Sequence, residues 1–310
     1  MPKDFLSAAD LDAAAWRRML ALARELRGDG DRRDLAGRTL AMIFEKPSLR
    51  TRVTFELAIA QLGGRAVHLA GGEIGLGSRE STADVARNLE RWVDAIAART
   101  VSDATVRELA ANCRIPVVNA LTDREHPCQA AADFLTILDR RGSLDGLRLA
   151  WVGDGNNVCH SLILAAARLG VGVRVAAPRG YEPDPAVLAG AERIAEPGYS
   201  AVVVREPADA VAGAHAVYTD VWTSMGQEAE AEARRRAFEG YRLDAALLAR
   251  AEPDALVMHC LPAHRGEEIT AEVLDGPQSA VFDQAENRLH AQKALLLLLL
   301  GPEDGARGPT

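Results

Sequence analysis

Five short segments bring together residue types that bind anions, move protons or hold ammonium groups. The first is Phe44-Glu-Lys-Pro-Ser-Leu-Arg-Thr-Arg52, which leaves a β-rich run, turns at Pro47 and enters a helix around Thr51. A helix start carries free backbone N–H groups and a partial positive charge, so it is a natural anion cradle. Ser48 and Thr51 add hydroxyls, and Arg50 adds a planar fork suited to phosphate. The plainer reading is a capped surface helix with a solvated arginine pair. The second segment, Glu125-His-Pro-Cys-Gln129, stands at another strand-to-helix junction. His126 can donate to a carbonyl oxygen or act as acid or base, and Gln129 offers an amide at the helix start. Taken alone, Pro127 at the first helical position would mark an ordinary cap.

The third segment, Val152-Gly-Asp-Gly-Asn-Asn-Val158, follows a strand and opens a helix, which invites a dinucleotide-binding reading. Val158 replaces the third glycine of that fingerprint, and the next strand ends in Ala176-Ala177-Pro178 without an acid for a ribose. The asparagines instead offer amides at the carboxyl end of the strand. In the fourth, Asp220-Val-Trp-Thr-Ser-Met-Gly226, one carboxylate, one hydroxyl and a glycine could hold an ammonium group. The fifth, His259-Cys-Leu-Pro262, suggests metal or thiol chemistry, but adjacent strand residues point to opposite faces and would not easily share a metal. Arg288 stands near the start of a final helix.

The elements that position these segments alternate. An opening helix is expected from Ser7 and Asp10, ending at Gly28-Asp29-Gly30. Short β-rich runs at Thr39–Phe44, Ala66–Leu69, Ala95–Ala98 and Pro116–Asn119 are separated by helical stretches Thr51–Leu62, Thr82–Trp92, Asp103–Ala111 and Gln129–Asp139. A polar, glycine-bearing break follows at Arg140–Gly146, after which strand Arg148–Val152, helix Val158–Leu169 and strands Val173–Ala176, Ala201–Val204, Ala216–Thr219 and Ala255–His259 are expected. The expected fold is α/β, with two domains, each a parallel sheet covered by helices. Residues 1–141 form the first domain and 142–286 the second; helix 287–300 packs back on the first, and tail 301–310 is disordered. All five segments then lie beyond the carboxyl ends of strands, where open α/β sheets bind ligands.

Composition narrows the partners. A net charge of −8, from 36 basic and 44 acidic residues, argues against nucleic acid or anionic membrane read by bulk electrostatics. Any bound anion needs a local cluster of cations. Four scattered cysteines without a C-x-x-C pair suit neither a disulfide framework nor a thiolate zinc site. The longest apolar run, Ala294 to Leu300, falls short of the roughly 20 residues a bilayer span needs. Lys3 and Asp4 precede an amphipathic run rather than an apolar signal region, so a cytoplasmic compartment is expected.

The ordered set S-L-R-T-R, H-P-C-Q, G-D-G-N-N, D-V-W-T-S-M-G and H-C-L-P, with A-E-N-R near the end, resembles the ornithine carbamoyltransferase branch of the transcarbamylases from about Phe5 to Leu300. The first two motifs are shared with the aspartate-specific branch, and the D-x-x-x-S-M-G and H-C-L-P pair points to ornithine. The resemblance implies transfer of a carbamoyl group from carbamoyl phosphate to the δ-amine of L-ornithine, giving L-citrulline and phosphate with no metal or organic cofactor. It implies that Ser48, Leu49, Arg50 and Thr51 form the phosphate loop with Arg99 and Arg288. His126, Pro127, Cys128 and Gln129 would meet the carbamoyl end, with Cys260 and Leu261 beside the reacting amine. Asn157, Asp220, Ser224 and Met225 would bind ornithine, and Arg50, His126 and Cys260 would serve catalysis. It also implies homotrimers in which a neighbouring loop completes each phosphate site. Two departures stand out: Leu49 replaces the usual threonine, and Gly75 stands where many relatives use a glutamine, leaving Arg79 as a possible substitute.

The implied chemistry is consistent with the residue types. Converging arginines would hold a dianion in an acidic protein, and Arg50, Thr51 and His126 would meet charge developing on the carbonyl oxygen. The amine must react neutral, although an alkylammonium with a reference pKa near 10.4 is roughly one part in a thousand neutral, or less, at pH 7. Competing readings are a transcarbamylase for N-acetylornithine or N-succinylornithine, which has no use for an acid facing a free α-amine, and a nucleotide-binding dehydrogenase or non-catalytic sensor resting on Gly153-Asp-Gly155.

Overall fold

The computed structural model describes residues 1–28, 32–224 and 226–301. The chain divides into two compact units, residues 1–131 with 288–310, and residues 132–287. Helices Pro127–Arg141 and Val281–Leu300 each carry the chain from one unit to the other.

The first unit holds β1 (Thr39–Phe44), β2 (Arg65–Ala70), β3 (Ala95–Arg99) and β4 (Val117–Leu121) in the order β2-β1-β3-β4, all parallel. Every residue of β1 and β3 is buried, as expected of inner parallel strands covered on both faces, while edge strand β2 has no buried position. From β1 the chain moves to β2 on one side and then crosses to β3 on the other. The crevice between the carboxyl ends of β1 and β3 is therefore a topological switch point. Ser48, at the start of helix Leu49–Gln61, and Arg99, at the end of β3, both stand there.

The second unit repeats the device with β5 (Arg148–Val152), β6 (Gly172–Ala176), β7 (Ser200–Val204), β8 (Ala216–Thr219) and β9 (Leu256–Met258), ordered β7-β6-β5-β8-β9 and again parallel. The switch point lies between β5 and β8, which carry the G-D-G-N-N and D-V-W-T-S-M segments. Trp151 of β5 stacks on Tyr218 of β8 with ring centroids 5.0 Å apart, so the central strand pair is also a rigid aromatic core. Helix Asn157–Leu169 is buried along most of its length, which matches its apolar composition.

The expected α/β class with two helix-covered parallel sheets is the one observed, and the C-terminal helix does return to the first unit, where buried Lys293 donates to the carbonyl of Leu26. Local boundaries differ in instructive ways. The first helix begins at Ala13 with Asp12 as its cap; Ser7 and Asp10 instead close a preceding turn, in which Asp10 accepts from the N–H groups of Leu6 and Ser7. The last helix starts at Val281, six residues before the expected 287, because its polar opening turns are paired with buried side chains. Gln284 donates to Asp133 and to Tyr218, and Asn287 to Thr136. Helix Pro185–Arg193, capped by Asp184, lies in a stretch where no helix was expected. Asp29, Gly30 and residues 302–310 of the expected tail lie outside the described residues. Among the described residues, no helix is long and apolar enough to cross a membrane.

Candidate active site

In the first unit, Ser48 caps helix Leu49–Gln61 by accepting from the N–H of Thr51 at 3.3 Å. Arg50 is half-buried, whereas the Leu49 side chain is 75% exposed, so only the backbone of Leu49 is available to a ligand held at the helix start. Thr51 is buried, and its hydroxyl accepts from Arg288 Nη2 at 2.9 Å. Arg288 Nη1 donates to Gln129 Oε1 at 2.7 Å. One guanidinium thus joins the segment after β1 to the segment after β4, and it does so while almost wholly buried. Its planar fork lets it serve both acceptors, which an ammonium point charge would not do in the same geometry.

His126 is buried beside this fork. Burial first, and then the Arg288, Arg99 and Arg50 cations, hold its imidazole well below the usual histidine pKa. It is therefore neutral at neutral pH and can act as an N–H donor without being an acid already charged. Arg99 is buried at the end of β3, where the register with β4 shifts between Ala98 and Arg99. Four of the expected anion-binding side chains, Arg50, Arg99, His126 and Arg288, are thus electrostatically coupled in one cluster. Pro127 and Cys128 open helix Pro127–Arg141 as buried residues. The Cys128 thiol donates to the Asn119 carbonyl, and burial pushes it up to about 12. That thiol is structural packing rather than a nucleophile.

In the second unit, Asn156 caps helix Asn157–Leu169 through its Oδ1 and donates from Nδ2 to Asp220 Oδ2 at 2.8 Å. This bond spans the β5–β8 switch point. Asp220, also buried, accepts at Oδ1 from its neighbour Val221 N–H at 2.8 Å and from the Cys260 thiol at 3.1 Å. The carboxylate has about four lone-pair sites, so three donors leave room for one more. Asn157 is half-buried as the first helical residue, and Ser224 is half-buried with its N–H donated to Gln227 Oε1. Met225 lies outside the described residues.

The expected separation of His259 and Cys260 does not hold. The strand ends at Met258, so strand alternation no longer applies, and ligand atoms of Asp220, His259 and Cys260 lie within 4.8 Å of one another. The two histidine nitrogens are nevertheless engaged: Nδ1 accepts from Leu261 N–H at 2.9 Å, and Nε2 lies 3.1 Å from Glu268 Oε1. A metal bound through this histidine would have to break one of those bonds, so the donor set does not fit a metal centre.

Sequence reading missed two contributors. Arg234, buried, donates from Nη1 to Asp154 Oδ2 and to the Trp222 carbonyl, both at 2.9 Å, and its guanidinium lies 5.0 Å from the centroid of the Tyr181 ring. It ties the segment after β8 to the one after β5. Burial, opposed by Arg234, raises Asp154 to about 6. Glu268 is the other, and nothing in its local sequence distinguishes it from Glu267. The glycines of Gly153-Asp-Gly155 also have a different role from a phosphate loop. A Cβ on Gly155 would lie 2.2 Å from Pro183 N, so this glycine admits a crossing chain segment.

Gly75 has a similarly local reason. It adopts φ 59, and a Cβ there would lie 2.6 Å from that of Arg79, whose N–H donates to the Gly75 carbonyl. A glutamine at 75 is incompatible with the loop as built, and Arg79 itself is exposed.

Two doubly wound sheets, one with a buried arginine–histidine cluster at its switch point and one with a carboxylate–amide–thiol cluster, define an α/β protein with separate anion-suited and cation-suited sites. The family models for aspartate/ornithine carbamoyltransferases match both parts, the carbamoyl-P binding domain over residues 3–139 and the Asp/Orn binding domain over residues 145–299. The chain belongs to the aspartate/ornithine carbamoyltransferase family. It is 54% identical to the ornithine carbamoyltransferase of Symbiobacterium thermophilum, over 96% of this chain and 98% of that one. Among solved structures, the ornithine carbamoyltransferase of Pyrococcus furiosus superposes with a TM-score of 0.93 at 50% identity, covering 96% of both chains. That of Thermus thermophilus gives 0.89 at 50% identity, covering 97% of this chain and 99% of the other.

Proposed function

We propose that this chain transfers the carbamoyl group of carbamoyl phosphate to the δ-amine of L-ornithine, releasing L-citrulline and phosphate. The observation that carries the reading is the buried Arg288 fork joining Thr51 and Gln129 beside His126. In that reading residues 1–141 with helix 287–300 bind carbamoyl phosphate and residues 142–286 bind ornithine. Ser48 and the Leu49–Thr51 backbone amides meet the phosphate with Arg50, Arg99 and Arg288. The neutral amine nitrogen attacks the carbonyl carbon, the bond from that carbon to the bridging oxygen breaks, and phosphate leaves with the bonding pair. The nitrogen gives up one proton, which the departing phosphate takes to become hydrogen phosphate, still paired with the arginines. Neutral His126 donates to the carbonyl oxygen as negative charge develops there, as a preorganised dipole should. Asp220 takes the α-ammonium of ornithine at its remaining acceptor site, with Asn157 and Ser224 around it and Cys260 and Leu261 beside the reacting amine.

A homotrimer fits the surface of the first unit. Leu49, Val53 and Leu57 recur along one face of helix Leu49–Gln61 at 75%, 44% and 43% exposure, and Val67 on edge strand β2 is 42% exposed. An apolar stripe of this kind is what a subunit contact would cover, and Arg79 is the candidate for reaching a neighbouring phosphate site. Work in arginine biosynthesis within the cytoplasm completes the proposal.

The test is citrulline formation by the purified protein from carbamoyl phosphate and ornithine, with N-acetylornithine, N-succinylornithine and NAD as controls. Citrulline from free ornithine alone is expected. A preference for an acylated ornithine would overturn the substrate, and an NAD-dependent turnover would overturn the reaction class.

A further inference from the structure

Leu261 is, among the described residues, the one non-glycine residue with a positive φ, at 57°. A left-handed backbone at a leucine is unfavourable and persists only where its surroundings dictate it. The surroundings here are specific. The Leu261 N–H donates to His259 Nδ1, so that nitrogen carries no proton and the imidazole proton sits on Nε2. Nε2 then donates to Glu268 Oε1, which also accepts the His264 N–H at 2.6 Å. The backbone N–H of His259 donates to Gln284 Oε1 at 3.0 Å. His259 and Glu268 are both fully buried. The ring is therefore held at both nitrogens and the residue also at its backbone N–H, and the strained turn at Cys260–Leu261 hangs from it.

We propose that Glu268 is a positioning residue for the transfer reaction: through His259 it holds the Cys260–Leu261 backbone in its left-handed turn and the Cys260 thiol against Asp220. Glu268 touches no substrate in this account. The role depends on an acceptor oxygen at the position of Oε1 and not on the carboxylate charge. It rests on the carbamoyl-transfer reading for its kinetic consequence, but the geometry of the loop can be read independently. Cys260 is partly exposed, whereas Cys113, Cys128 and Cys159 are buried, so a chromogenic disulfide reagent reports on Cys260 in the intact protein.

The experiment compares Glu268→Ala, Glu268→Met and Glu268→Gln with the parent in steady-state kinetics and thiol modification. In Glu268→Ala, kcat should fall about tenfold to a hundredfold, the scale of a misplaced reacting segment. KM for carbamoyl phosphate should hold, and Cys260 should react faster because its turn is released. Glu268→Gln keeps the oxygen and should restore kcat and the slow thiol reaction. Glu268→Met fills the space without an acceptor and should behave as the alanine variant does, which covers the case in which alanine prevents folding. Parent-like kcat and thiol reactivity in the alanine and methionine variants would overturn the proposal. So would a glutamine variant as impaired as alanine, since charge would then be the requirement. If the parent makes no citrulline, the transfer reading fails, and the thiol rates still decide whether Glu268 holds the loop.

Discussion

Replacing Arg288 by methionine keeps the unbranched stem of the side chain and removes the cation that joins Thr51 to Gln129. Two buried acceptors lose a charged donor at once, and hydrogen bonds to charged groups are worth about 1.5–3 kcal/mol each. If the same guanidinium stabilises phosphate departure, loss of one preorganised donor costs about 2.7–4 kcal/mol, or about a hundred- to a thousandfold in kcat. The expected result is a fall in kcat/KM for carbamoyl phosphate within that range, with KM for ornithine little changed because the Asp220 cluster proposed to bind it belongs to the other unit. A second readout checks the electrostatics. Arg288 stands next after burial among the causes that depress His126, so its removal should move the His126 titration upward, toward the ordinary histidine range. Nuclear magnetic resonance of the His126 ring proton across pH reads this directly, and the acid limb of the kcat/KM profile should move the same way. Arg288→Lys keeps a charge but cannot span both acceptors, so it should fall between parent and methionine. Activity within about threefold of the parent, well short of the loss expected of such a donor, would refute the assignment. An unmoved His126 titration would refute the electrostatic coupling.

Asp220→Asn should lower kcat/KM for ornithine by more than a hundredfold, at the upper part of the about 2–5 kcal/mol typical of a broken desolvated pair. The structure adds a reason, since Asn156, Val221 and Cys260 all donate to this group and an amide offers only one oxygen; unchanged ornithine kinetics would remove Asp220 from the substrate site. Asp154 titrates at about 6, above its ordinary 3.8, so as pH falls through 6 it takes up a proton and Arg234 loses a charged acceptor. KM for ornithine should rise below that pH in the parent, and Asp154→Asn should abolish the step. In folding, the same upward shift works in the opposite sense: between 3.8 and about 6 the folded state binds the proton more tightly, so this group's contribution to stability declines as pH rises through that window and is constant above it. Light scattering should give three times 33.2 kDa or a multiple of that trimer, and Leu57→Lys should lower the assembled mass; a fully active monomer would remove the shared phosphate site.

Much of the fold was legible because it is a property of near neighbours. Strands β1, β5 and β8 coincide with their expected limits, since each is a short apolar run bounded by turn residues. The positions of the candidate residues beyond strand ends followed from the same local pattern, whereas the caps at Ser48 and Asn156 emerged only in the structure, although both residue types suit that position. What local pattern could not supply was which loops meet. Arg288 reaches Thr51 across 237 positions of sequence, and Arg234 reaches Asp154 across 80. Those meetings depend on strand order, which places β1 beside β3 and β5 beside β8, and no window of neighbouring residues encodes that order. The roles of Gly155, Gly75 and Glu268 belong to the same class, because each is defined by a chain segment or side chain that only the folded molecule brings near. The sequence alone therefore determined the chemical inventory and its placement at strand ends. The tertiary structure decided the pairings, because burial makes a polar side chain find a partner wherever the packed sheets have brought one.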